Sequence, residues 1–274
     1  MDNLSFELNE GQTLALVGES GSGKSTVVRA LAQLVKRKSG EVLLDGSPAG
    51  RHGQALRGYR HRVQLVFQDP FASLNPIHTV RHQRQRVAIA RTLATNPDVL
   101  LADEPVSMLD VSIRLEILNL LDGLKRDRNL TMLYVTHDLA TARHFSSEIM
   151  VMYRGEIVER GPSDEVILRP SHPYTQILAG SAPDPTISRE DLATARRTRQ
   201  AVRASQTAEQ REVAIDKGCR FRSRCPFAMD ICATHPPDLA AAPDHLARCW
   251  PLSDDVTPAG AGANSTLPWR GPAR

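Results

Sequence analysis

The sequence predicts an α/β fold with a mostly parallel sheet, to which a small cysteine-containing C-terminal extension is added. Two observations favour this fold. Between residue 4 and about residue 161, short aliphatic runs alternate with helix-like stretches, as in strands joined by crossover helices. A glycine-rich loop separates the first apolar run from the first helix-like stretch, and such a loop is typical of phosphate-binding α/β domains.

The elements of the predicted core follow in order from the apolar runs and the breaker residues between them. Strands are expected at Thr13–Val17, Glu41–Leu44, Val63–Phe67, Val99–Ala102 and Thr131–Thr136. Helices are expected at Lys24–Leu34, Gln83–Ala94, Ser112–Arg126 and Leu139–Phe145. The segment Ile149–Glu159 predicts a hairpin that turns at Arg154-Gly155 and closes the domain.

A change in composition after Gly161 predicts the end of this domain. Prolines become frequent there, and a short helix is expected at Ser163–Leu168. We therefore expect the phosphate-binding domain over 1–161, an accessory extension over 162–252 and a disordered tail over 253–274, where Pro, Gly, Ala and Ser dominate.

Composition and charge limit the function classes. The 274 residues are 41% hydrophobic and 24% charged, as in a globular protein, and the net charge of +3 is too weak to indicate nucleic acid as a partner. No apolar run approaches the roughly 18 residues of a membrane span, and the start of the chain lacks a signal-peptide layout. The sequence therefore predicts a cytoplasmic chain that reaches a membrane only through a partner.

The glycine-rich loop matches the phosphate-binding pattern G-x-x-x-x-G-K-[ST]. Its residues are Gly18, Glu19, Ser20, Gly21, Ser22, Gly23, Lys24, Ser25 and Thr26. The glycines let backbone N–H groups point at phosphate oxygens, and the N-terminus of the following helix adds a positive dipole end. Lys24 is expected to bridge the β and γ phosphates and Ser25 to bind Mg²⁺. A dinucleotide fingerprint fails because Thr26 replaces its third glycine, and a nucleophile elbow fails because Ser22 replaces its last glycine.

Two adjacent carboxylates end the aliphatic run Val99–Ala102. In a protein with a phosphate-binding loop, such a strand end completes the Mg²⁺ site. We expect Asp103 to hold the metal through water. Glu104 is expected to polarise the attacking water as a general base.

Three more motifs stand in a fixed order along the chain: Gln68 after Val66-Phe67, the run Ser107-Met108-Leu109-Asp110, and His137 after the strand that ends in Thr136. With the loop and the acidic strand end, this order resembles the ABC ATPase family. The resemblance implies that Gln68 senses Mg²⁺ and contacts a helical subdomain. It also implies that residues 107–110 contact a second subunit and that His137 holds the γ-phosphate.

Two stretches narrow the resemblance to the branch of oligopeptide, dipeptide and nickel importers. They are Ser171-His172-Pro173-Tyr174-Thr175 and Gly218–Pro226, with Cys232 and Cys249 after it. This branch implies an ATP-hydrolysing subunit on the cytoplasmic face of the cell membrane. Its partners would be a homologous ATPase subunit, in a homo- or heterodimer, two permease subunits and, through the complex, an extracytoplasmic peptide-binding protein.

Parts of the family pattern are missing from the chain. Of the Leu-Ser-Gly-Gly-Gln signature only Gln83 is present, and 34 residues separate Gln68 from Asp103, so the helical subdomain is expected to be deleted near 80–83. The N-terminus is expected to be shortened, without the family's adenine-stacking aromatic residue. Two alternatives follow: a degenerate nucleotide-binding subunit with little turnover of its own, and a truncated product that does not assemble.

The four cysteines leave two interpretations open. Cys219, Cys225, Cys232 and Cys249 lack the paired C-x2-C spacing of common zinc sites. Four thiols in a cytosolic chain are not expected to form a disulfide framework. They are either reduced structural thiols or ligands of a metal or a [4Fe-4S] cluster, and the resemblance to importers thought to carry such a cluster supports the second interpretation.

Overall fold

The computed structural model describes residues 4–66, 84–107, 111–180 and 218–253, which divide into two units. We call them the N-terminal unit, with residues 5–137 and 144–147, and the C-terminal unit, with residue 4, residues 138–143 and the described residues from 148 onward. Gln68, Gln83, the junction near 80–83 and the tail after residue 253 lie outside the described residues. The functional boundary at residue 161 stays a prediction.

The N-terminal unit contains alternating strands and helices. In chain order these are β1 (Thr13–Val17), α1 (Lys24–Leu31), β2 (Leu43–Leu44), β3 (Ser47–Pro48), α2 (Gly53–Arg62), β4 (Val63–Val66), α3 (Arg84–Leu93), β5 (Val99–Asp103), α4 (Val111–Arg128) and β6 (Thr131–Thr136). Helix α5 (Leu139–Phe145) comes next in the chain, and its first five residues belong to the C-terminal unit.

A parallel sheet in the order β4-β5-β6-β1 forms the core of the N-terminal unit. Every residue of β1 and β6 is buried, which explains why these strands are almost continuously apolar rather than alternating. Leu133 on β6 pairs with Leu14 on one side and with Leu101 on the other. The predicted parallel α/β sheet is therefore confirmed, and the carboxyl ends of these strands lie at one edge.

Helix α1 packs one face on this core and ends earlier than the sequence suggests. Val27 and Val28 are buried, and the helix stops at Leu31 rather than Leu34 because Gln33 adopts a left-handed backbone with φ of 56°. The hydroxyl of Tyr59 on α2 donates to the Leu31 carbonyl oxygen at 2.7 Å. Burial raises the pKa of Tyr59 to about 12, so this donor keeps its proton at neutral pH.

The C-terminal unit is built on an antiparallel sheet in the order β7-β8-β10-β9. Its elements are β7 (Glu148–Tyr153), β8 (Glu156–Pro162), α6 (Ser163–Leu168), α7 (Pro173–Ala179), β9 (Leu239–Ala242) and β10 (His245–Ala247), with 3-10 turns at Arg222–Arg224, Asp230–Ala233 and Trp250–Leu252. Arg154 and Gly155 both have positive φ, 44° and 86°. This is the geometry of a two-residue hairpin turn, and the predicted hairpin is confirmed.

A buried carboxylate organises the C-terminal unit. Glu159 on β8 accepts hydrogen bonds from the backbone N–H groups of Ser171 at 2.7 Å and His172 at 3.0 Å. Nε2 of His245 on β10 lies 2.7 Å from the same carboxylate. The first two residues of the stretch 171–175 are thus bonded to β8 through a carboxylate that also contacts β10. Beside it, Tyr174 and Phe221 are fully buried and their rings lie 5.6 Å apart.

Several elements differ from the sequence-based prediction. Strand β2 covers only the last two residues of Glu41–Leu44, and the predicted helices Gln83–Ala94 and Ser112–Arg126 begin or end one or two residues away. Helices α2 and α7 and strands β3, β9 and β10 were not predicted. In α2 only Tyr59 is buried, so the apolar periodicity that marks a helix is missing.

Candidate functional site

The glycine-rich loop connects the buried end of β1 to the start of α1. Gly21 and Gly23 have φ of 78° and 94°, in the left-handed region that favours glycine. A side chain at Gly21 would meet no neighbour within 4 Å, so the backbone conformation, not space, requires glycine there. The N–H of Ser22 donates to the Glu19 carbonyl oxygen at 3.2 Å. The loop therefore curls back on itself in front of α1, as a phosphate cradle does.

The ammonium group of Lys24 is held inside this loop. Its Nζ donates to the carbonyl oxygens of Gly18 at 2.8 Å and Glu19 at 3.2 Å, and the residue is only 6% exposed. Burial lowers the pKa of Lys24, while the nearby Glu104 and Asp103 carboxylates partly oppose that change. A buried cation beside a helix N-terminus favours an anionic ligand such as a phosphate.

Ser25 and Asp103 provide oxygen atoms at the same edge of the sheet. The Ser25 hydroxyl donates to Oδ1 of Asp103 at 3.3 Å. Burial raises the pKa of Asp103, and the hydrogen bond from Ser25 partly offsets that rise. A hydroxyl and a carboxylate are oxygen ligands of the kind that Mg²⁺ prefers, and Mg²⁺ completes its shell with phosphate oxygens and water. The residues present thus fit a Mg²⁺-nucleotide complex.

Glu104 and His137 come together from two strand ends. Oε2 of Glu104 lies 3.2 Å from Nδ1 of His137. The Glu104 side chain is 15% exposed and the His137 ring is 59% exposed, so the pair lies at the surface of the site with the carboxylate on the inner side. A carboxylate in this position has the chemistry of a general base for water.

Not every expected site residue falls within this geometry. Gln68 lies outside the described residues, Ser20 is exposed on the loop, and Thr26 is exposed in the first turn of α1. Sequence reasoning assigned Ser107 only to contact with a second subunit. Its hydroxyl donates to the Glu104 carbonyl oxygen at 3.1 Å, and the proline after Glu104 was the signal for a turn at this point.

The four cysteines line one cavity in the C-terminal unit, together with His172, Phe221 and other apolar side chains. All four are free thiols. Burial raises the pKa of Cys225 to about 12 and raises the pKa values of Cys219 and Cys249 as well. Within the described ranges, no three His, Cys, Asp or Glu side chains are arranged to hold a metal ion.

Comparisons with known proteins match both parts of the chain. The family model of the ABC transporter matches residues 1–83, and that of the oligopeptide/dipeptide transporter C-terminal region matches residues 158–232. A putative peptide import ATP-binding protein of Brucella ovis is 36% identical over 296 residues, which cover 91% of this chain and 90% of that protein. The chain belongs to the ATP-binding subunits of ABC transporters. As a member of this family it is an ATP hydrolase by resemblance.

Other relatives of this ABC subunit have similar names. The oligopeptide transport ATP-binding protein AppF of Bacillus subtilis is 35% identical, with 91% of this chain and 88% of that protein covered. The dipeptide transport ATP-binding protein DppF of Escherichia coli is 33% identical, with 94% and 88% covered. The Brucella ovis alignment spans 296 positions, while 91% of 274 residues is about 249, so about 47 of its positions have no counterpart in this chain.

Solved structures support the fold of this ABC subunit. A dimeric, post-hydrolysis structure of the ATP-binding cassette MJ0796 with ADP and Pi matches with a TM-score of 0.52 and 28% identity, over 59% of this chain and 89% of that one. The cbiO1 protein of Clostridium perfringens matches with a TM-score of 0.55 and 24% identity, over 60% and 82%. None of the helices in the described ranges combines the length and hydropathy that a membrane span needs.

Proposed function

We propose that this ABC subunit binds ATP with Mg²⁺ and hydrolyses it to drive the uptake of peptides through a membrane permease. The observation that carries the proposal is that two distant pairs of neighbouring residues meet at one sheet edge: Lys24 with Ser25, and Asp103 with Glu104. A cation, two oxygen ligands and a carboxylate base are the groups that phosphoryl transfer to water uses.

The phosphate-binding role rests on the loop and on Lys24. The curled backbone of residues 18–23 offers N–H groups, and the Lys24 ammonium supplies positive charge to the β and γ phosphates. Ser25 and Asp103 would hold Mg²⁺, Ser25 directly and Asp103 through water, with Gln68 as a further ligand. The ion neutralises phosphate charge when it is bound.

The hydrolytic role rests on Glu104 and His137. Glu104 takes a proton from water as the water attacks the γ-phosphorus in line with the departing ADP. His137, with Nδ1 3.2 Å from the Glu104 carboxylate, holds the γ-phosphate and orients the base. Both groups together lower the barrier by positioning and by electrostatic stabilisation.

The peptide cargo and the partners are supported by the relatives. Those with 33–36% identity are named as peptide, oligopeptide or dipeptide import ATP-binding proteins. We place this subunit on the cytoplasmic face of the membrane, on two permease subunits, paired with a homologous ATPase subunit and served by an extracytoplasmic peptide-binding protein. The dimer is favoured by the dimeric state of the matching cassette structure. The alternative of a degenerate subunit has no support in the comparisons.

The cysteine cavity carries a separate prediction. Its four thiols have the composition of a [4Fe-4S] ligand set, but among the described residues they do not form a metal-holding group. Anaerobic purification followed by iron and sulfide analysis tests the cluster. About four iron and four sulfide per chain, lost in Cys225→Ser, would support it, whereas neither element in the purified protein would leave reduced structural thiols.

The proposed activity is tested by Mg²⁺-dependent phosphate release from ATP. Wild type, Lys24→Ala and Glu104→Gln are compared alone and mixed with an intact homologous subunit, with the exposed Lys38→Ala as the matched control. We expect Lys24→Ala to lose ATP binding and Glu104→Gln to retain binding but lose turnover. Turnover in Lys24→Ala equal to that of Lys38→Ala would contradict the proposal.

A further inference from the structure

Glu104 has a backbone conformation that is unfavourable for a residue with a side chain. Its φ is 46°, in the left-handed region where the Cβ atom crowds the backbone. Such conformations persist only where surrounding contacts fix them, and they concentrate at functional sites. Contacts before and after Glu104 in the chain are therefore needed to hold its backbone in this conformation.

On the amino-terminal side, the sheet provides the contact. The N–H of Glu104 donates to the carbonyl oxygen of Val135 at 2.9 Å. Val135 lies on β6, two residues before His137. The same strand thus positions both the Glu104 backbone and the histidine that the Glu104 carboxylate faces.

On the carboxyl-terminal side, a tight turn provides the contact. Pro105 follows Glu104, at the position where a fixed proline φ favours a turn. The N–H of Ser107 donates to the Glu104 carbonyl oxygen at 3.3 Å, and the Ser107 hydroxyl donates to the same oxygen at 3.1 Å. One residue therefore closes the turn with two hydrogen bonds to a single acceptor.

We propose that Ser107 is a positioning residue for the general base of this site. Its hydroxyl holds the Glu104 carbonyl group and with it the left-handed backbone that directs the carboxylate toward His137. The inference rests on the proposed function of Glu104. It gives Ser107 a role within its own subunit, in addition to the contact with a second subunit that the sequence resemblance implies.

The chain offers a matched control for this hydroxyl. The N–H and the hydroxyl of Ser147 both donate to the Thr13 carbonyl oxygen, at 3.2 Å and 3.3 Å. Ser147→Ala therefore removes the same kind of hydrogen bond from the same unit without touching Glu104. A general loss of stability would affect both variants, whereas loss of positioning would affect only Ser107→Ala.

The test measures ATP hydrolysis by wild type, Ser107→Ala, Ser107→Thr and Ser147→Ala. We expect kcat of Ser107→Ala to fall about tenfold, the equivalent of one well-placed hydrogen bond, with KM for ATP unchanged. Threonine keeps the hydroxyl and should restore most of kcat, and Ser147→Ala should match wild type. A kcat of Ser107→Ala equal to wild type, or no rescue by threonine, would overturn the inference.

Glu104→Gln separates this outcome from failure of the proposed function. Wild-type turnover that Glu104→Gln abolishes establishes the base, whatever Ser107→Ala does. If wild type shows no turnover, hydrogen exchange measured by NMR at the Glu104 and Ser107 amides decides the role of the turn. Faster exchange in Ser107→Ala than in Ser147→Ala would support it, and unchanged exchange would refute it.

Discussion

The hydroxyl oxygen of Ser25 lies 3.3 Å from Oδ1 of Asp103, although the two residues are 78 positions apart in sequence. One residue lies in the first turn of α1 and the other ends β5. Because the carboxyl ends of parallel strands share one edge of a sheet, the fold brings the two oxygen ligands together without any local sequence contact. Their separation is short enough for both to serve one ion.

Asp103→Asn should weaken the response to Mg²⁺ more than the binding of ATP itself. The amide still accepts the hydrogen bond from Ser25 but lacks the negative charge that holds a divalent cation. We expect the Mg²⁺ concentration for half-maximal hydrolysis to rise about tenfold or more. A Mg²⁺ titration of the ATPase rate measures this. Asp98→Asn, at the exposed residue just before the same strand, should leave the titration unchanged, and an equal shift in both variants would argue against the metal role.

His137→Ala should lower kcat with little effect on nucleotide affinity. The ring faces the Glu104 carboxylate at 3.2 Å, so its removal takes away the orientation of the base and a contact for the transferred phosphate. We expect a loss of about a hundredfold in kcat. Steady-state kinetics and equilibrium nucleotide binding measure the two effects. The exposed His144 provides the control, and a His137→Ala enzyme as fast as His144→Ala would contradict the prediction.

His172→Asn should make the stability of the C-terminal unit less dependent on pH. Complete burial lowers the pKa of His172 to about 3, below the unfolded value of 6.5, so its contribution is fully present above pH 6.5 and is lost as the pH falls toward 3. At pH 5 this loss reaches about 2 kcal/mol.

Asparagine is a suitable replacement because His172 caps α7 by accepting from the Tyr174 N–H at 3.1 Å, and Asn caps helices in the same way without titrating. Denaturant unfolding of both proteins at pH 7.5 and pH 5 measures the difference. Identical pH dependence of the two free energies of unfolding would disprove the prediction.

Glu159→Gln should destabilise the C-terminal unit by about 2–4 kcal/mol. The buried carboxylate accepts from two backbone N–H groups and contacts the buried His245, and an amide has a single acceptor oxygen for them. Denaturant unfolding monitored by Trp250 fluorescence reports the change. Glu165→Gln, whose carboxylate pairs with exposed Arg169 at 3.3 Å, should cost less than about 0.5 kcal/mol. Equal effects at both positions would contradict the role of Glu159.

The parallel core was predictable because its strands are buried on both faces. Thr13–Val17 and Thr131–Thr136 consist mostly of apolar residues without polar alternation, and the structure places both strands at those bounds. The meetings of Ser25 with Asp103 and of Glu104 with His137 follow from the same topology. The sequence motifs therefore predicted most residues of the candidate site.

Other secondary-structure elements could not be predicted from the sequence because tertiary contacts, not local sequence patterns, stabilise them. Strand β9 contains one leucine and three alanines, too little apolar alternation to indicate a strand, and it exists by pairing with β10. Helix α1 ends where Gln33 turns left-handed, without the glycine that signals such an end. In the turn at Ser107, the Glu104 carbonyl oxygen accepts from the N–H and the hydroxyl of Ser107. The pattern of apolar residues in the sequence does not indicate such a hydrogen bond.

Strand β8 can pair with one neighbouring strand as soon as it is synthesised, but its other neighbouring strand is made much later. Its partner β7 lies across a two-residue turn, whereas β10 follows more than eighty residues later. While the ribosome makes the intervening segment, one side of β8 presents unsatisfied backbone groups that another chain could pair with. A nascent chain that stalls before His245 would thus be prone to aggregation, and quality control of this subunit would depend on the completion of β10.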